Sequence, residues 1–341
     1  MSHSVPLKLP RLIFGSSALG NLYQELSSGE KQRLVEEWFR LSEGAVCVDS
    51  AGKYGAGLAL EELGKALRAL DVPPGSFRLS NKLGWKRVPL EGDEPRFEPG
   101  IWKGLRHDAV QAIGYVGILE CWEQGNRLLG APYRADLLSV HDPDEFILAA
   151  GDPAEADRRT KLVFDAYRAL GELRDRSEAR AIGVGAKEWT TIRDIVARVN
   201  LDWVMFAGSL TLYSHPDELL ALIRSLAENG VAVINSAVFH SGFLAGGDHF
   251  DYRPADPGKD AGLFEWRRRF FGLCDGHGVR PVDACIEFAL APRGVTSIAL
   301  NTARPNRVAQ NVASVRSAAP RAFWAEMRRS GLIRFTPEEL S

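Results

Sequence analysis

Short apolar segments alternate with longer segments of helical period along most of the 341-residue chain. The short segments are rich in β-branched residues, which is typical of buried strands, whereas the longer ones repeat apolar residues every three or four positions. Residues 12–15 form the first predicted strand, and residues 28–41 form the amphipathic helix after it. Ser27 and Glu30 have the spacing of a capping box at the start of that helix. This alternation predicts a parallel sheet covered by helices.

The strand–helix alternation occurs eight times. The predicted strands span residues 12–15, 45–49, 77–82, 136–141, 181–185, 203–206, 231–235 and 295–300. The predicted helices after them lie at or within residues 28–41, 58–70, 108–129, 160–176, 190–199, 215–229, 260–276 and 305–314, with further helices at 282–290 and 323–329. Eight such units predict a single-domain (β/α)8 TIM barrel over residues 1–341, with extra C-terminal helices.

A doubly wound open sheet is the alternative fold, because the same alternation would serve it. Residues 15–20, after the first strand, read Gly-Ser-Ser-Ala-Leu-Gly and lack the G-x-G-x-x-G fingerprint of that fold, which favours the barrel. Residues 84–103 and 242–262 are predicted to be long loops. In a barrel both loops follow the carboxyl ends of strands, where they can border a substrate pocket.

Composition and charge narrow the class of protein. With 45% hydrophobic and 25% charged residues, the chain has the composition of an ordinary globular enzyme. The net charge of -2 gives no electrostatic reason to expect a nucleic acid or an acidic membrane as partner. The first ten residues lack the apolar segment of a signal peptide, and no later segment has the length of a membrane span. We therefore expect a cytoplasmic enzyme for a small molecule, present as a monomer or a small homo-oligomer.

The four cysteines do not indicate a disulfide framework or a zinc site. They are widely spaced and show no CxxC or Cys/His ligand pattern. Most of them lie in apolar or helical segments, where a reduced and buried thiol is expected.

Side chains capable of chemistry follow three successive predicted strands. Asp49 ends the second strand, and Tyr54 follows it by five residues; Lys82 ends the third strand and His141 the fourth. In a barrel these side chains meet at the carboxyl-terminal rim. A tyrosine has a pKa near ~10, and a neighbouring ammonium group lowers it. Together with a histidine that positions the substrate oxygen, this set suits proton transfer at a carbonyl or hydroxyl group while hydride moves to or from a cofactor.

Each of these residues also has an ordinary structural interpretation. Asp49 could cap a helix, Tyr54 could pack in the core, and Lys82 could be a surface charge. His141, which precedes two nearby aspartates, could cap a helix or bind a metal ion. The order and spacing of the four residues favour catalysis over these separate roles, and we expect no metal.

The segments around these residues resemble the signature of the aldo-keto reductase superfamily. Residues 48–57 read Val-Asp-Ser-Ala-Gly-Lys-Tyr-Gly-Ala-Gly and residues 63–67 read Leu-Gly-Lys-Ala-Leu, similar to the family pattern D-T/S-A-x-x-Y-G-x-G…L-G-x-A-L. Ser-Asn-Lys at 80–82, Ser-Val-His-Asp at 139–142 and Arg-Ala-Ile-Gly-Val-Gly at 180–185 resemble three further family segments. The resemblance implies the same barrel, with Tyr54 as general acid/base, Asp49 and Lys82 as the pair that tunes its pKa, and His141 as the substrate-orienting residue.

The resemblance also implies a nicotinamide cofactor, NAD(P)(H), across the mouth of the barrel. The candidate cofactor-binding residues are Gly15, Ser16, Val238, Phe239, Ser241, Gly242, Asn301, Arg304, Arg307 and Asn311. Arg304 and Arg307 could contact a 2′-phosphate, or could merely belong to the eighth helix. Asn301 stands where many NADP-binding members have lysine, so we expect use of both cofactors with a small preference for NADP. Gly-Ala-Lys at 185–187 replaces the Ser-Asn with which many members hold the nicotinamide amide.

Two segments resemble one branch of the family. His-Asp-Pro-Asp at 141–144 and Ala-Val-Phe-His-Ser-Gly-Phe-Leu at 237–244 are similar to the D-threo-aldose, L-fucose and L-galactose dehydrogenases, with pyridoxal 4-dehydrogenase close by. This implies oxidation of the anomeric carbon of a small aldose to a lactone, in carbohydrate metabolism. Asn21, Trp85 and His240 are candidate substrate-binding residues. The alternatives are an NADPH-dependent aldehyde or ketone reductase and a cofactor-binding regulatory subunit.

Overall fold

The computed structural model describes residues 7–251 and 253–341. Its strands, in chain order, are β1 Leu12–Gly15, β2 Val46–Ala51, β3 Phe77–Leu83, β4 Trp85–Pro89, β5 His107–Gln111, β6 Leu137–His141, β7 Ala181–Ala186, β8 Trp203–Ala207, β9 Ala232–Ser236, β10 His249–Phe250, β11 Arg253–Pro254 and β12 Val295–Leu300. Its α-helices are α1 Ser28–Leu41, α2 Leu58–Ala69, α3 Tyr115–Leu129, α4 Pro143–Leu148, α5 Pro153–Asp175, α6 Trp189–Val196, α7 Asp217–Glu228, α8 Ala261–His277, α9 Pro281–Leu290, α10 Val308–Ser314, α11 Arg321–Arg329 and α12 Pro337–Leu340. Short 3-10 helices occur at Ser17–Gly20, Phe243–Ala245 and Pro305–Arg307.

Eight parallel strands close into a barrel in the order β1, β2, β3, β6, β7, β8, β9, β12 and back to β1. The α-helices surround it, so the (β/α)8 TIM barrel with extra helices is confirmed and the open doubly wound sheet is wrong. The strand register fixes the rim on which the candidate side chains lie. Asp49 is opposite Ser80, Lys82 is opposite Ser139, and His141 is opposite Gly185.

The interior of the barrel is filled by side chains. One buried apolar cluster inside it comprises Ile13, Cys47, Leu137, Ala181, Trp203, Met205, Ala232 and Ile234. The fully buried Trp203 is accommodated by Gly183 on the neighbouring strand, because a Cβ atom there would lie 2.4 Å from the indole ring. A larger cluster lies between the strands and the helices. Since both faces of the strands are covered, strands such as β8, which reads Trp-Val-Met-Phe-Ala, are apolar throughout, whereas β2 and β3 also carry the polar site residues.

Both segments predicted to be loops contain strands. In the first, β4 pairs in antiparallel fashion with β5, which lies just beyond the predicted loop, and the two form a ribbon outside the barrel; we call residues 85–111 the ribbon. In the second, β10 and β11 form a small hairpin. These strands are short and, apart from Asp108 and Ala109 in β5, half-buried or exposed, so they lack the apolar runs that identify the barrel strands.

Capping residues set the starts of α1 and α5, of which only that of α1 was predicted correctly. The capping box of Ser27 and Glu30 forms at the start of α1. Helix α5 begins at Pro153, seven residues before the predicted start at residue 160, because the side chain of Asp152 accepts from the backbone N–H of Glu155 and proline suits the first turn. The six-residue helix α4 is too short to show a periodic pattern and was not predicted.

All four cysteines are free and buried, as expected. Across residues 7–251 and 253–341, no helix combines the length and the apolar character needed to cross a membrane.

Candidate active site

Strand ends and one tight turn bring the four predicted catalytic residues together. Asp49 lies in β2, Lys82 in β3 and His141 at the end of β6, while Tyr54 is in the turn after β2. This turn packs closely against residue 20. A Cβ atom at Gly55, where φ is +60°, would lie 2.3 Å from the carbonyl oxygen of residue 20. The glycine therefore allows the turn to place Tyr54 over the barrel mouth.

A buried ion pair lies beneath the tyrosine. The Lys82 ammonium contacts the Asp49 carboxylate, and their side chains are 3% and 4% exposed. Ser80 Oγ donates to Asp49 Oδ1 at 3.1 Å, and Tyr54 OH donates to Asp49 Oδ2 at 3.5 Å. Lys82 Nζ lies 4.7 Å from the centroid of the Tyr54 ring. A cation at this position stabilises the phenolate form over the phenol.

His141 lies beside the tyrosine with its ring edge-on. The two ring centroids are 5.8 Å apart. Burial, reinforced by the charges of Lys82 and Lys53, holds the pKa of His141 well below its usual range. The imidazole is therefore neutral at neutral pH and can donate one hydrogen bond. Nε2 lies 3.6 Å from Asp142 Oδ2, and Nδ1 has no hydrogen-bond partner among the described residues.

Lys53 organises a second charged group, which the sequence analysis missed. Its ammonium is 2.9 Å from Asp142, 2.9 Å from Glu98 and 3.1 Å from Glu145. Burial disfavours the ammonium, but the three carboxylates outweigh burial and raise the pKa of Lys53. Lys53 immediately precedes Tyr54 in the signature segment, but its partners come from distant segments that sequence spacing cannot connect.

These residues line a cavity of about 480 Å³ at the mouth of the barrel. Of the predicted site residues, it is lined by Asp49, Tyr54, Lys82, His141, Gly15, Val238, Phe239, Ser241, Gly242, Asn301, Arg304 and Arg307. The structure thus brings the proposed proton-transfer residues and most of the proposed cofactor residues into one space.

Five predicted binding residues do not line this cavity. Asn21 is buried, and its side chain donates to the carbonyl of Lys103 and accepts from the N–H of residue 26. His240 is buried between Thr211 and Asp251, each 2.8 Å from one ring nitrogen. Both side chains hold loops in place here. Their role in substrate binding stays a prediction.

The other three, Trp85, Ser16 and Asn311, are also outside the cavity lining. Trp85 packs against Phe97 and the ammonium of Lys53. Ser16 is buried, and its backbone N–H donates to the carbonyl of residue 49 at 2.9 Å. Asn311 lies on α10, beyond the cavity lining. Their proposed contacts with substrate or cofactor likewise stay predictions.

Several lining residues were not predicted from the sequence. They include Tyr23, Glu98, Trp102 and Lys187. The Trp102 ring lies 5.9 Å from the Tyr54 ring, and its Nε1 donates to Glu98 Oε2 at 2.7 Å. Glu98 and Trp102 come from the ribbon, which had been predicted to be a loop. An aromatic residue in a long segment that follows a barrel strand was the available signal.

The opposite part of the cavity fits a nicotinamide dinucleotide. Arg304 and Arg307 line it, and neither guanidinium has a carboxylate partner within residues 7–251 and 253–341. Such groups bind phosphate oxygens well. Gly185 leaves no side chain on the wall beside Lys82, because a Cβ atom there would lie 2.9 Å from Lys82 Cδ. Gly242 faces open space, with no atom within 4 Å of a built Cβ.

A metal site does not form around the histidine. Among the described residues, no three His, Cys, Asp or Glu side chains are arranged to hold a metal ion. The carboxylate of Asp142 instead contacts Lys53.

Comparison with known proteins gives consistent results. A sequence model described as the aldo/keto reductase family matches residues 11–330. The chain is 29% identical to the pyridoxal 4-dehydrogenase of Microbacterium luteolum, covering 96% of this chain and 95% of that protein. It is also 29% identical to the D-threo-aldose 1-dehydrogenase of Pseudomonas sp, with the same coverage. Identity to the L-galactose dehydrogenase of Arabidopsis thaliana is 24%, covering 91% and 85% of the two chains.

Solved structures share the fold at lower identity. The glycerol dehydrogenase of Gluconobacter oxydans superposes with a TM-score of 0.66 at 19% identity, covering 94% of this chain and 92% of that one. An aldo-keto reductase from Bacillus halodurans gives a TM-score of 0.63 at 19% identity, with 95% and 92% covered.

Proposed function

The chain belongs to the aldo/keto reductase family of NAD(P)-dependent oxidoreductases, and we propose that it oxidises the anomeric carbon of a small aldose to a lactone. The relatives named for D-threo-aldose, L-galactose and pyridoxal belong to the branch that the sequence motifs indicated. The observation that carries the proposal is the set of charged groups, including Lys53 and Glu98, in the cavity beside Tyr54. A polyhydroxylated substrate needs such partners, whereas a simple hydrophobic aldehyde does not.

Proton transfer is assigned to Tyr54. As phenolate it takes the proton of the anomeric hydroxyl, while the ammonium of Lys82 stabilises its negative charge. Asp49 keeps that ammonium charged and oriented, and neutral His141 donates a hydrogen bond to the substrate oxygen. When bound, the nicotinamide supplies the hydride acceptor. In the opposite direction Tyr54 returns the proton to a carbonyl oxygen.

The cofactor would be held by residues of the last two strand–helix loops. Gly242 permits close approach of the backbone, and Arg304 and Arg307 would contact phosphate groups. The two arginines support a small preference for NADP, while Asn301 in place of a lysine supports the use of NAD as well. Cytoplasmic location and a monomeric or small homo-oligomeric state stay predictions.

Reduction of aldehydes or ketones is the second candidate, because the same four residues serve both directions. The two are separated by initial rates with L-fucose, L-galactose and D-threo aldoses, each with NAD⁺ and NADP⁺, against nitrobenzaldehyde reduction with both reduced cofactors. Oxidation of one or a few aldoses is the expected result. If no aldose is oxidised and the aromatic aldehyde is reduced efficiently, the reductase function replaces the proposal.

A further inference from the structure

Three carboxylates line the cavity, and they differ in what they can offer a substrate. Asp49 and Asp142 are 4% and 7% exposed and are engaged by Lys82 and Lys53 respectively. Glu98 is 24% exposed and projects from the ribbon into the same space. It is therefore the carboxylate in this lining that is most open to a ligand.

The contacts of Glu98 fix its position and leave acceptor capacity. Oε1 lies 2.9 Å from the Lys53 ammonium nitrogen in an ion pair, and Oε2 accepts from Trp102 Nε1 at 2.7 Å. A carboxylate has about four lone-pair sites, so each oxygen can accept one further hydrogen bond. The same indole lies against the Tyr54 ring. Glu98 is thus placed one indole ring away from the proton-transfer residue.

The charges around Glu98 disfavour an anion. The Lys53 ammonium forms ion pairs with three carboxylates, those of Glu98, Asp142 and Glu145, and Lys187 contacts Glu145. Three negative and two positive charges leave one net negative charge in this group. Each cation of the group already contacts a carboxylate. The group therefore offers no cation for a phosphate or a carboxylate of the substrate.

We propose that Glu98 is a specificity-determining residue that accepts hydrogen bonds from substrate hydroxyls remote from the anomeric carbon, and that it restricts the enzyme to uncharged aldoses. Lys53, in the turn after β2, is the positioning residue that holds this carboxylate of the ribbon at the mouth of the barrel. The inference rests on the proposed function. Sugar phosphates and uronic acids are excluded by the net negative charge. Analogues of the preferred aldose that lack the hydroxyl bound by Glu98 are disfavoured because they leave Glu98 without its partner.

The test compares kcat/KM for the best aldose, its 3-, 4- and 6-deoxy analogues, and its uronic acid. The wild-type enzyme should disfavour the uronic acid and at least one deoxy analogue by about tenfold or more. Glu98→Gln keeps the shape of the side chain and removes its charge. It should raise the uronic acid ratio, which is kcat/KM for the uronic acid divided by kcat/KM for the aldose, about tenfold. Glu98→Ala should bring the deoxy ratio, which is kcat/KM for the aldose divided by kcat/KM for the disfavoured deoxy analogue, close to one. It should do so through a higher KM for the aldose, with kcat less affected.

Glu145→Gln is the matched control. This residue also contacts Lys53, at 3.1 Å, but does not line the cavity. It should change the deoxy ratio by less than about threefold, because Glu145 does not line the cavity, and it should raise the uronic acid ratio less than Glu98→Gln does, because it removes the same charge from a residue outside the lining. If the Glu98 variants behave like this control, or if the wild-type enzyme accepts the uronic acid as well as the aldose, the inference is wrong while aldose oxidation stands. If the wild-type enzyme oxidises no aldose, the proposed function fails and this inference fails with it.

Discussion

Lys82→Met removes one partner of the buried ion pair and keeps most of the apolar stem. The Asp49 carboxylate then remains buried beside the Ser80 and Tyr54 hydroxyls, without its cation. Breaking a buried pair from one side costs about 3–5 kcal/mol. Because the two hydroxyls still donate to Asp49, we expect the lower end, about 3 kcal/mol. Activity should fall as well, since the phenolate loses its neighbouring charge, and any residual activity should appear at higher pH.

Equilibrium urea unfolding, followed by tryptophan fluorescence, measures the stability effect. With a slope of about 3 kcal/mol per molar urea, a loss of about 3 kcal/mol lowers the midpoint by about 1 M. The double variant Lys82→Met/Asp49→Leu removes both charges. Replacing a buried pair by apolar residues is often neutral, so its stability should return to within about 1 kcal/mol of the wild type.

Activity measurements on the double variant separate the role of the Lys82–Asp49 pair in catalysis from its role in stability. The double variant should stay inactive although it is stable, because neither the ammonium nor its carboxylate remains beside Tyr54. Recovery of activity together with stability would show that Lys82 acts only through folding. A Lys82→Met protein as stable as the wild type would refute the description of the pair as buried and charged.

Three further predictions follow from the site. Tyr54→Phe should lower turnover at least ~10²-fold with little change in cofactor affinity by fluorescence titration; near-full turnover would remove Tyr54 from proton transfer. Arg304→Ala with Arg307→Ala should weaken NADP binding more than NAD binding, whereas equal losses would show that they do not contact the 2′-phosphate. Because the pKa of His141 is lowered in the folded state, unfolding takes up a proton below about pH 6.5. The wild type should thus lose up to ~1.4 kcal/mol per pH unit relative to His141→Gln as pH falls through that range; parallel urea curves at pH 7.5 and 5.5 would contradict this.

The barrel could be predicted because its strands are covered on both faces. Apolar β-branched segments such as residues 295–300 lack the 3.6-residue period of helices and are therefore identified as strands. The bounds of β12 match the prediction. The four catalytic candidates could also be predicted from the sequence, because the carboxyl ends of all strands in a (β/α)8 barrel meet at one rim.

Contacts between distant segments could not be predicted in this way. Lys53 meets carboxylates 45, 89 and 92 positions away, and no local pattern connects them. Asn21 and His240, by contrast, were predicted as substrate contacts because they are polar residues in loops beside the site. Such residues look like ligand contacts in a sequence, yet these two make hydrogen bonds to the protein itself.

The ribbon has a consequence for how this enzyme can diversify. Its strands pair only with each other in the described part of the chain, and it is inserted between β3 and α3. Residues 85–111 can therefore be shortened, extended or exchanged for the equivalent segment of a relative without altering the register of the barrel strands. The barrel strands carry Asp49, Lys82 and His141, whereas the ribbon supplies Glu98 and Trp102 to the same cavity, so the two sets of lining residues belong to structurally separable parts of the chain.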